Sequence, residues 1–512
     1  MTPAIAEKTL AGRGVSVARK PAGPAPEILR FPHASVSPKT SEAAAASQTR
    51  GLTKIYKMGE DRSTSASAPA KNRADRLRSG ERRTIASLSP NFSIDACIPA
   101  GLSESDPHAA KMTATLLVVD TGSSSVRLAA FDARDLDAIS LRLPPSPAAN
   151  AATQNPRRIA RAHEQLPDEQ QSIAFNAMLN SFLEQNAIGD VRAVAHRIVH
   201  GGITFSASCV LDATVERALV ALTELAPLHL PIALDWVTLC RATFGPDVPQ
   251  IAVFDTAFFA ALPAVAQRYA IPLDLQKTHG VRRFGFHGLA HDSMLRRIEH
   301  LRPDLERGGR IISLQLGAGC SITAIDRGVP QDTSMGFSPL EGLVMSTRSG
   351  DIDAGLLTFL ERTAGFTAEK LERLLNMESG LLGLSGLSGD MRTLLTSKNP
   401  DAEFAIELYC YRIRKYIGAY IAVLGGIDVI VFGGGVGEHS PEVRERILAG
   451  MEWCGVTLDP DRNDAARGIE ETDARISISP GPVDVWVVAV DESAVLAREA
   501  AGVLRGRAND NL

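Results

Sequence analysis

Two stretches of this chain repeat one pattern, and the repetition narrows what it can fold into. In the first, Leu116, Leu117, Val118 and Val119 form a short apolar run bounded by turn residues, the mark of a buried strand. Asp120 follows at once, then Gly122 and the serines Ser123, Ser124 and Ser125, then an apolar stretch at 126–131 as a second strand. In the second, residues 310–315 read as a strand, Leu316, Gly317, Ala318, Gly319 and Cys320 as a Gly turn, and 321–325 as a strand. Gly122 lets the backbone approach closely, and successive N–H groups and hydroxyls can ring an anion. An acid at the strand end, Asp120, can hold Mg2+ through water, and Arg127 can reach back to phosphates. One such hairpin is equally well an ordinary polar turn, since Ser and Gly are common there.

A third glycine signal follows. Residues 429–432 read as a strand feeding the Gly-rich loop 433–437, with a helix at 441–450 behind it. A Gly-rich turn at a helix start suits a nucleotide phosphate. Two phosphate-type hairpins and this loop, in order, weigh more than any one of them. Between them, residues 169–185, 232–244, 354–363 and 402–423 carry helical spacing, and 138–143, 191–200 and 251–254 read as strands. The 251–254 strand ends in Asp255, and α/β proteins place their chemistry at such strand ends. The last strand, 485–490, runs into Asp491 and Glu492 before a closing helix at 493–504.

The chain has 512 residues, room for two or three domains. Its 45% hydrophobic and 22% charged residues are those of an ordinary soluble protein. No run of about 18 apolar residues is present to span a membrane. The start lacks the apolar core of a secretory signal, and the six cysteines are scattered without a C-x-x-C pair. These features point to a cytoplasmic chain with free thiols and no structural zinc. Residues 1–111 carry seventeen Lys and Arg against ten Asp and Glu, whereas the rest is acidic. This segment is rich in Ala, Ser, Pro and Arg and poor in apolar clusters, so residues 1–112 read as a disordered extension. An inert tail, a true start at Met112, a transit-like segment and a nucleic-acid-binding arm all remain open for it.

Further motifs fall in order: HRIVHGG at 196–202, APLHLP at 226–231, VFDTAF at 253–258, RFGFHG at 283–288, DTSMGFSPLEGL at 332–343, TRSGDID at 347–353 and GVGEHSPEVR at 435–444. With the GSSS turn at 122–125, this set resembles the acetokinase family of the actin-like ATPase and sugar-kinase superfamily, from Met112 to the C-terminal helix. The resemblance implies an α/β fold of two domains with duplicated actin-like, ribonuclease H-like cores and an active-site cleft between them. Domain I would cover 113–259, completed by 493–512, and domain II, the nucleotide domain, 260–492. It also implies a homodimer, Mg2+ or Mn2+, and reversible phosphoryl transfer from ATP to acetate, giving acetyl phosphate and ADP. No nucleic acid or membrane partner is implied.

The residues carried over by that resemblance are these. Asp255, His287 and Arg348 match the catalytic residues, and Arg197 matches a second arginine at the carboxylate and phosphoryl group. His229 is a further site histidine, and Val199, Leu228, Phe286 and Pro339 match the small acyl pocket. Nucleotide contacts fall on Ser123, Ser125, Arg127, Gln315, Leu316, Gly317, Ala318, Gly319, Asp390, Met391, Arg392, Gly435, Val436, Gly437, Glu438 and His439. Asp120 and Glu492 match the metal positions. The chain departs from the family pattern mainly on the nucleotide and metal side: Asp120 stands for an asparagine, Arg127 for a lysine, Gln315 for a histidine and Ala318 for an asparagine. Leu230 and His439 also stand where asparagine is usual. Other readings are a propionate or butyrate kinase, a non-enzymatic nucleotide-binding relative, and a sugar or polyol kinase; the apolar pocket disfavours the last.

Overall fold

All eight residues of β1 (Ala114–Thr121) are buried. A run this apolar suits a strand covered on both faces. The chain reverses at Gly122, whose N–H donates to the Ser125 carbonyl at 2.8 Å. It returns as β2 (Ser125–Asp132), which sets Arg127 opposite Asp120. The structure is a computed structural model and describes residues 114–122, 125–133, 158–165, 171–227, 229–468 and 472–510.

β3 (Arg158–Gln165) pairs antiparallel with β2, and β4 (Asp190–Ile198) pairs parallel with the other edge of β1. The short β5 (Cys209–Val210) precedes β6 (Gln250–Phe254); β6 pairs parallel with β4, and β5 caps it antiparallel. The second half repeats this. β7 (Arg310–Leu316), β8 (Cys320–Asp326) and β9 (Val329–Thr333) form an antiparallel meander. β10 (Val429–Gly433) lies parallel to β7, and after β11 (Ala474–Arg475), β12 (Asp484–Val487) lies parallel to β10. The sheet orders are β3-β2-β1-β4-β6-β5 and, in the same sense, β9-β8-β7-β10-β12-β11. The two glycine hairpins therefore occupy equivalent places in two copies of one core.

Each sheet is sandwiched by helices. The first buries one face under the C-terminal helix (Glu492–Asp510), through Val495, Leu496, Ala497 and Ala500, and the other under the Gln171–Gln185 and Leu230–Phe244 helices. The second sheet packs one face on the long Pro400–Leu424 helix and the other on the Gly288–Leu301 helix. Among the described residues no helix is long and apolar enough to cross a membrane.

Three sequence expectations need revision or lie out of reach. The strand expected at 138–143 and the extension at 1–112 fall outside the described residues. The strand found beside β2 is Arg158–Gln165, where charged residues hid the strand pattern. The Gly-rich stretch after β10 is a short helix, Gly434–His439, rather than a loop. Gly434 turns the chain with φ +75°, and a Cβ there would meet the Leu316 carbonyl at 2.7 Å, so only glycine lets the helix start so close to β7.

Candidate active site

β1, β4 and β6 run parallel and side by side, so their carboxyl ends open on one edge. Asp120 lies near the end of β1, Arg197 near the end of β4, and Asp255 just past β6. Glu492 opens the C-terminal helix against the same edge. All four are almost wholly buried. Arg197 donates from Nε (3.1 Å) and Nη2 (2.8 Å) to Asp255 Oδ2, and from Nη1 to Asp120 Oδ1 at 3.0 Å. Its Nη2 also lies 3.2 Å from Glu492 Oε1. Arg127 donates to Glu492 Oε2 at 2.7 Å and stands 3.4 Å from Asp120 Oδ2.

Three carboxylates thus share two guanidiniums in a low-dielectric place. Burial pushes the Asp255 carboxyl up to about 6, although Arg197 pulls the other way. Burial also raises Glu492, but Arg197 and Arg127 more than offset it and hold that carboxyl below its ordinary value. Arg197 stays fully protonated: burial opposes its charge and is outweighed by Asp255, Glu492 and Asp120.

Asp120 Oδ2 and Asp255 Oδ1 are buried and accept no hydrogen bond among the described residues. Asp120 Oδ2, with Arg127 at 3.4 Å, and Asp255 Oδ1 are hard oxygen donors of the kind that Mg2+ prefers. Among the described residues no three side chains already group as metal ligands.

The second half brings its own groups to this edge. Gly288 opens its helix directly against Asp255, where a Cβ would lie 1.9 Å from the Asp255 carbonyl oxygen. Glycine is required at that contact, and it fixes His287 next to the acid. His287 itself has φ +58°, uncommon for a non-glycine residue and a mark of over-determined geometry. The turn after β7 closes on the ring: a Cβ on Gly319 would lie 3.0 Å from His287 Cε1, 3.1 Å from its Nε2 and 3.8 Å from Arg348 Nη1. His287, Gly319 and Arg348 therefore converge. Burial and the nearby Arg197 and Arg348 push the His287 imidazole down to about 3, so it is neutral. His229, at the start of its helix, is likewise pushed down to about 4 by burial, Arg348 and Arg197.

Arg348 differs from Arg197 in one respect. It donates to the Pro339 carbonyl at 3.2 Å and touches Met345 Sδ at 3.8 Å, and among the described residues no carboxylate pairs with it. A mostly buried guanidinium with no acid beside it among the described residues has donors free to take an anion.

The remaining expected residues divide. Val199 and Phe286 are buried in one apolar cluster, with His200 edge-on to Phe286 and Phe284. Leu228 and Ser123 lie outside the described residues, and Ser125 begins β2. In the turn after β7, Gly317 N–H donates to the Gly319 carbonyl and Ala318 is exposed. Gln315 leaves its side-chain oxygen buried without a hydrogen bond among the described residues, and its amide nitrogen faces Gly434. Gly435 and His439 are exposed on the short helix, Val436 and Gly437 pack inward, and the Glu438 carboxylate accepts from the N–H groups of Gly434 and Val490, tying β10 to the end of the second sheet. Asp390 and Arg392 form an exposed pair, with Asp390 capping the helix that begins at Met391. Sequence reasoning missed Ser313, Ser321 and His291, which bond in series behind His287. The spacing His-x-x-x-His, one face of a helix, was the available signal.

The sequence profile of the Acetokinase family matches residues 115–498. The chain belongs to the acetokinase family. It is 45% identical over 318 residues to an acetate kinase of Chloroherpeton thalassium, covering 61% of this chain and 76% of that one. Among solved structures, acetate kinase from Porphyromonas gingivalis aligns at 35% identity with a TM-score of 0.64, covering 76% of this chain and all of that one. A propionate kinase from Francisella tularensis aligns at 32% identity and a TM-score of 0.64, covering 75% and 98%. As an acetokinase, the chain is a phosphotransferase with a carboxyl group as acceptor.

Proposed function

We propose that this chain transfers the terminal phosphoryl group of ATP reversibly to acetate, giving acetyl phosphate and ADP. The observation that carries this reading is Arg348, a mostly buried cation that no carboxylate among the described residues pairs with, set beside neutral His287 and the glycine turn after β7. Acetate is already ionised at neutral pH, so no general base is needed. The task is to hold two anions together and to stabilise charge on the phosphoryl group in flight, by positioned cations and donors. Arg348 supplies a planar fork for the carboxylate or phosphoryl oxygens. His287, being neutral, offers a hydrogen bond rather than a charge. Arg197, fixed by Asp255, lends positive potential from the facing edge; Asp255 orients it and abstracts nothing. Val199, Leu228, Phe286 and Pro339 would bound the methyl group, and His229 would border the carboxylate.

The nucleotide would lie along Gln315 to Gly319 and the Gly435, Val436, Gly437, Glu438 and His439 helix, with Ser123, Ser125 and Arg127 facing its phosphates and Asp390, Met391 and Arg392 its base side. Asp120 and Glu492 would hold Mg2+ or Mn2+, largely through water, with Asp255 Oδ1 in reserve. When bound, that ion neutralises charge between the transferred and leaving phosphates. We assign 113–259 with 493–512 to the acyl domain and 260–492 to the nucleotide domain, the C-terminal helix being packed on the first sheet. The chain would act in the cytoplasm.

A second copy of the chain is the proposed partner. The Ala354–Ala364 helix buries no residue and shows Leu356 and Phe359 at 45% and 52% exposure, while Phe404 and Tyr411 stand out from the Pro400–Leu424 helix at 54% and 55%. Sedimentation of the full chain should give twice the monomer mass, and Phe359→Glu should lower it; a wild-type monomer would remove the dimer from this reading.

Propionate is the second candidate acceptor, on the likeness to a propionate kinase. One methylene in a pocket is worth only about 1–3 kcal/mol. Acyl phosphate trapped as hydroxamate, with Mg-ATP and acetate, propionate or butyrate in parallel, should rank acetate first and butyrate last. No product from any acid would overturn the assignment.

A further inference from the structure

Behind His287 runs a buried line of alternating imidazoles and hydroxyls. His287 Nδ1 lies 3.0 Å from Ser321 Oγ, Ser321 Oγ lies 2.7 Å from His291 Nε2, and His291 Nδ1 lies 2.8 Å from Ser313 Oγ. Ser313 Oγ also sits 3.6 Å from Met294 Sδ, where the line ends. Ser313, Ser321 and His291 have no exposed surface. The serines stand on the hairpin face that Ile311 and Ile325 fill with apolar side chains, so a sheet interior gives up burial to keep them. His287 and His291 are one helical turn apart and face that hairpin together.

Counting protons leaves two arrangements in which each hydroxyl of the line donates; were both rings to donate to Ser321, its own O–H would have no acceptor in the line. Each neutral imidazole carries one N–H and each hydroxyl one O–H. Ser321 has a single proton for two ring nitrogens. If it donates to His287 Nδ1, then His291 Nε2 must carry a proton and donate to Ser321, and His291 Nδ1 accepts from Ser313. His287 then bears its proton on Nε2, beside Gly319 of the phosphate-type turn. If every bond reverses, His287 Nε2 is a bare lone pair and Ser313 is left to donate to a thioether, a weak acceptor. A lone pair aimed at phosphate oxygens is repelled, whereas an N–H there makes a charge-assisted bond.

We propose that Ser321, His291 and Ser313 are positioning residues that lock the two histidines into one shared tautomer, with His287 presenting an Nε2–H to the transferring phosphoryl group. The inference rests on the phosphotransferase reading for its purpose but not for its geometry. Burial, which holds both rings neutral, keeps the line free of net charge.

The test is long-range proton–nitrogen NMR on full-length protein enriched with nitrogen-15 histidine, His287 and His291 being assigned by their loss in H287Q and H291Q. Both rings should be in the Nε2–H form in the ligand-free chain and with acetyl phosphate added. One ring protonated on Nε2 and the other on Nδ1, or both on Nδ1 with acetyl phosphate present, would overturn the proposal. Because the spectrum needs no turnover, it judges the relay even if hydroxamate trapping fails. In parallel, Ser321→Ala should lower kcat about tenfold or more with KM for ATP and acetate within about twofold, the pattern of a contact that acts only in the transition state. Ser321→Thr, which keeps the hydroxyl at a strand position, should recover most of the loss. An unchanged kcat in folded Ser321→Ala, or no recovery in folded Ser321→Thr, would also overturn it.

Discussion

Replacing Arg348 with alanine should lower kcat for acetyl phosphate formation by about three orders of magnitude while the fold holds. Removing one donor aimed at developing charge in a water-poor site costs about a hundredfold to a thousandfold, and a phosphoryl-stabilising arginine is worth as much or more. The fold should survive because this side chain carries little structure. It donates to one carbonyl, that of Pro339, and pairs with no carboxylate among the described residues. Losing a neutral acceptor's partner costs about 1 kcal/mol, and burial already presses the Arg348 guanidinium down from its ordinary value, so its charge is a burden to the folded chain. Arg348→Lys should fall between, since it keeps a point charge and loses the planar fork. The measurements are hydroxamate-trapped kcat and a thermal melt on the same preparations. A near-normal kcat would take Arg348 out of the site; a collapsed melt would make its role structural.

How much of this was legible in the sequence depends on how local the signal was. The glycine hairpins were legible because an apolar strand, a turn and a second strand lie within a dozen or so residues and need no partner to be recognised. Their repetition was legible too, but the strand order that gives them equivalent places appears only when β4 and β10 insert beside β1 and β7. Asp255 stood out as an acid at a strand end and Arg197 through its motif, yet the three-acid cluster required the C-terminal helix to carry Glu492 across from the far end of the chain. Gly288 read as part of a motif; its reason, contact with the Asp255 carbonyl, is tertiary. Strand β3 was hidden because a strand beyond the sheet centre can be rich in charge. The Gly434–His439 helix was hidden because three glycines argue against a helix everywhere except where backbone contact demands them. Of the Ser313–His291–Ser321 line only the His-x-x-x-His spacing showed: the serines are unremarked alone, and only the packing of one helix on one hairpin makes a series of them.

Arg197→Ala should be destabilising as well as inactivating, and the two losses should respond differently to pH. Removing the guanidinium leaves Asp120, Asp255 and Glu492 facing one another with only half-exposed Arg127 at the rim. Breaking a buried ion pair from one side costs about 3–5 kcal/mol, because the remaining charge is uncompensated. Even with Arg197 in place, folded Asp255 has a pKa of about 6 against an ordinary 3.8. Between those values the folded chain binds a proton that the unfolded chain has released. The group's contribution is therefore complete below about pH 4 and is lost as pH rises through 6, a difference of about 3 kcal/mol by proton linkage. Without Arg197 the carboxyl is harder still to ionise, so the loss continues to higher pH. Melts of Arg197→Ala and wild type at pH 5 and pH 8 should show a deficit several degrees larger at pH 8, whereas kcat should stay low at both. Arg197→Lys should restore most of the stability, since a cation returns to the three acids, and much less of the activity, since the two-nitrogen grip on Asp255 does not. A deficit that is equal at both pH values would mean that the acids relax toward water once the arginine is gone, so that no buried carboxyl is left uncompensated.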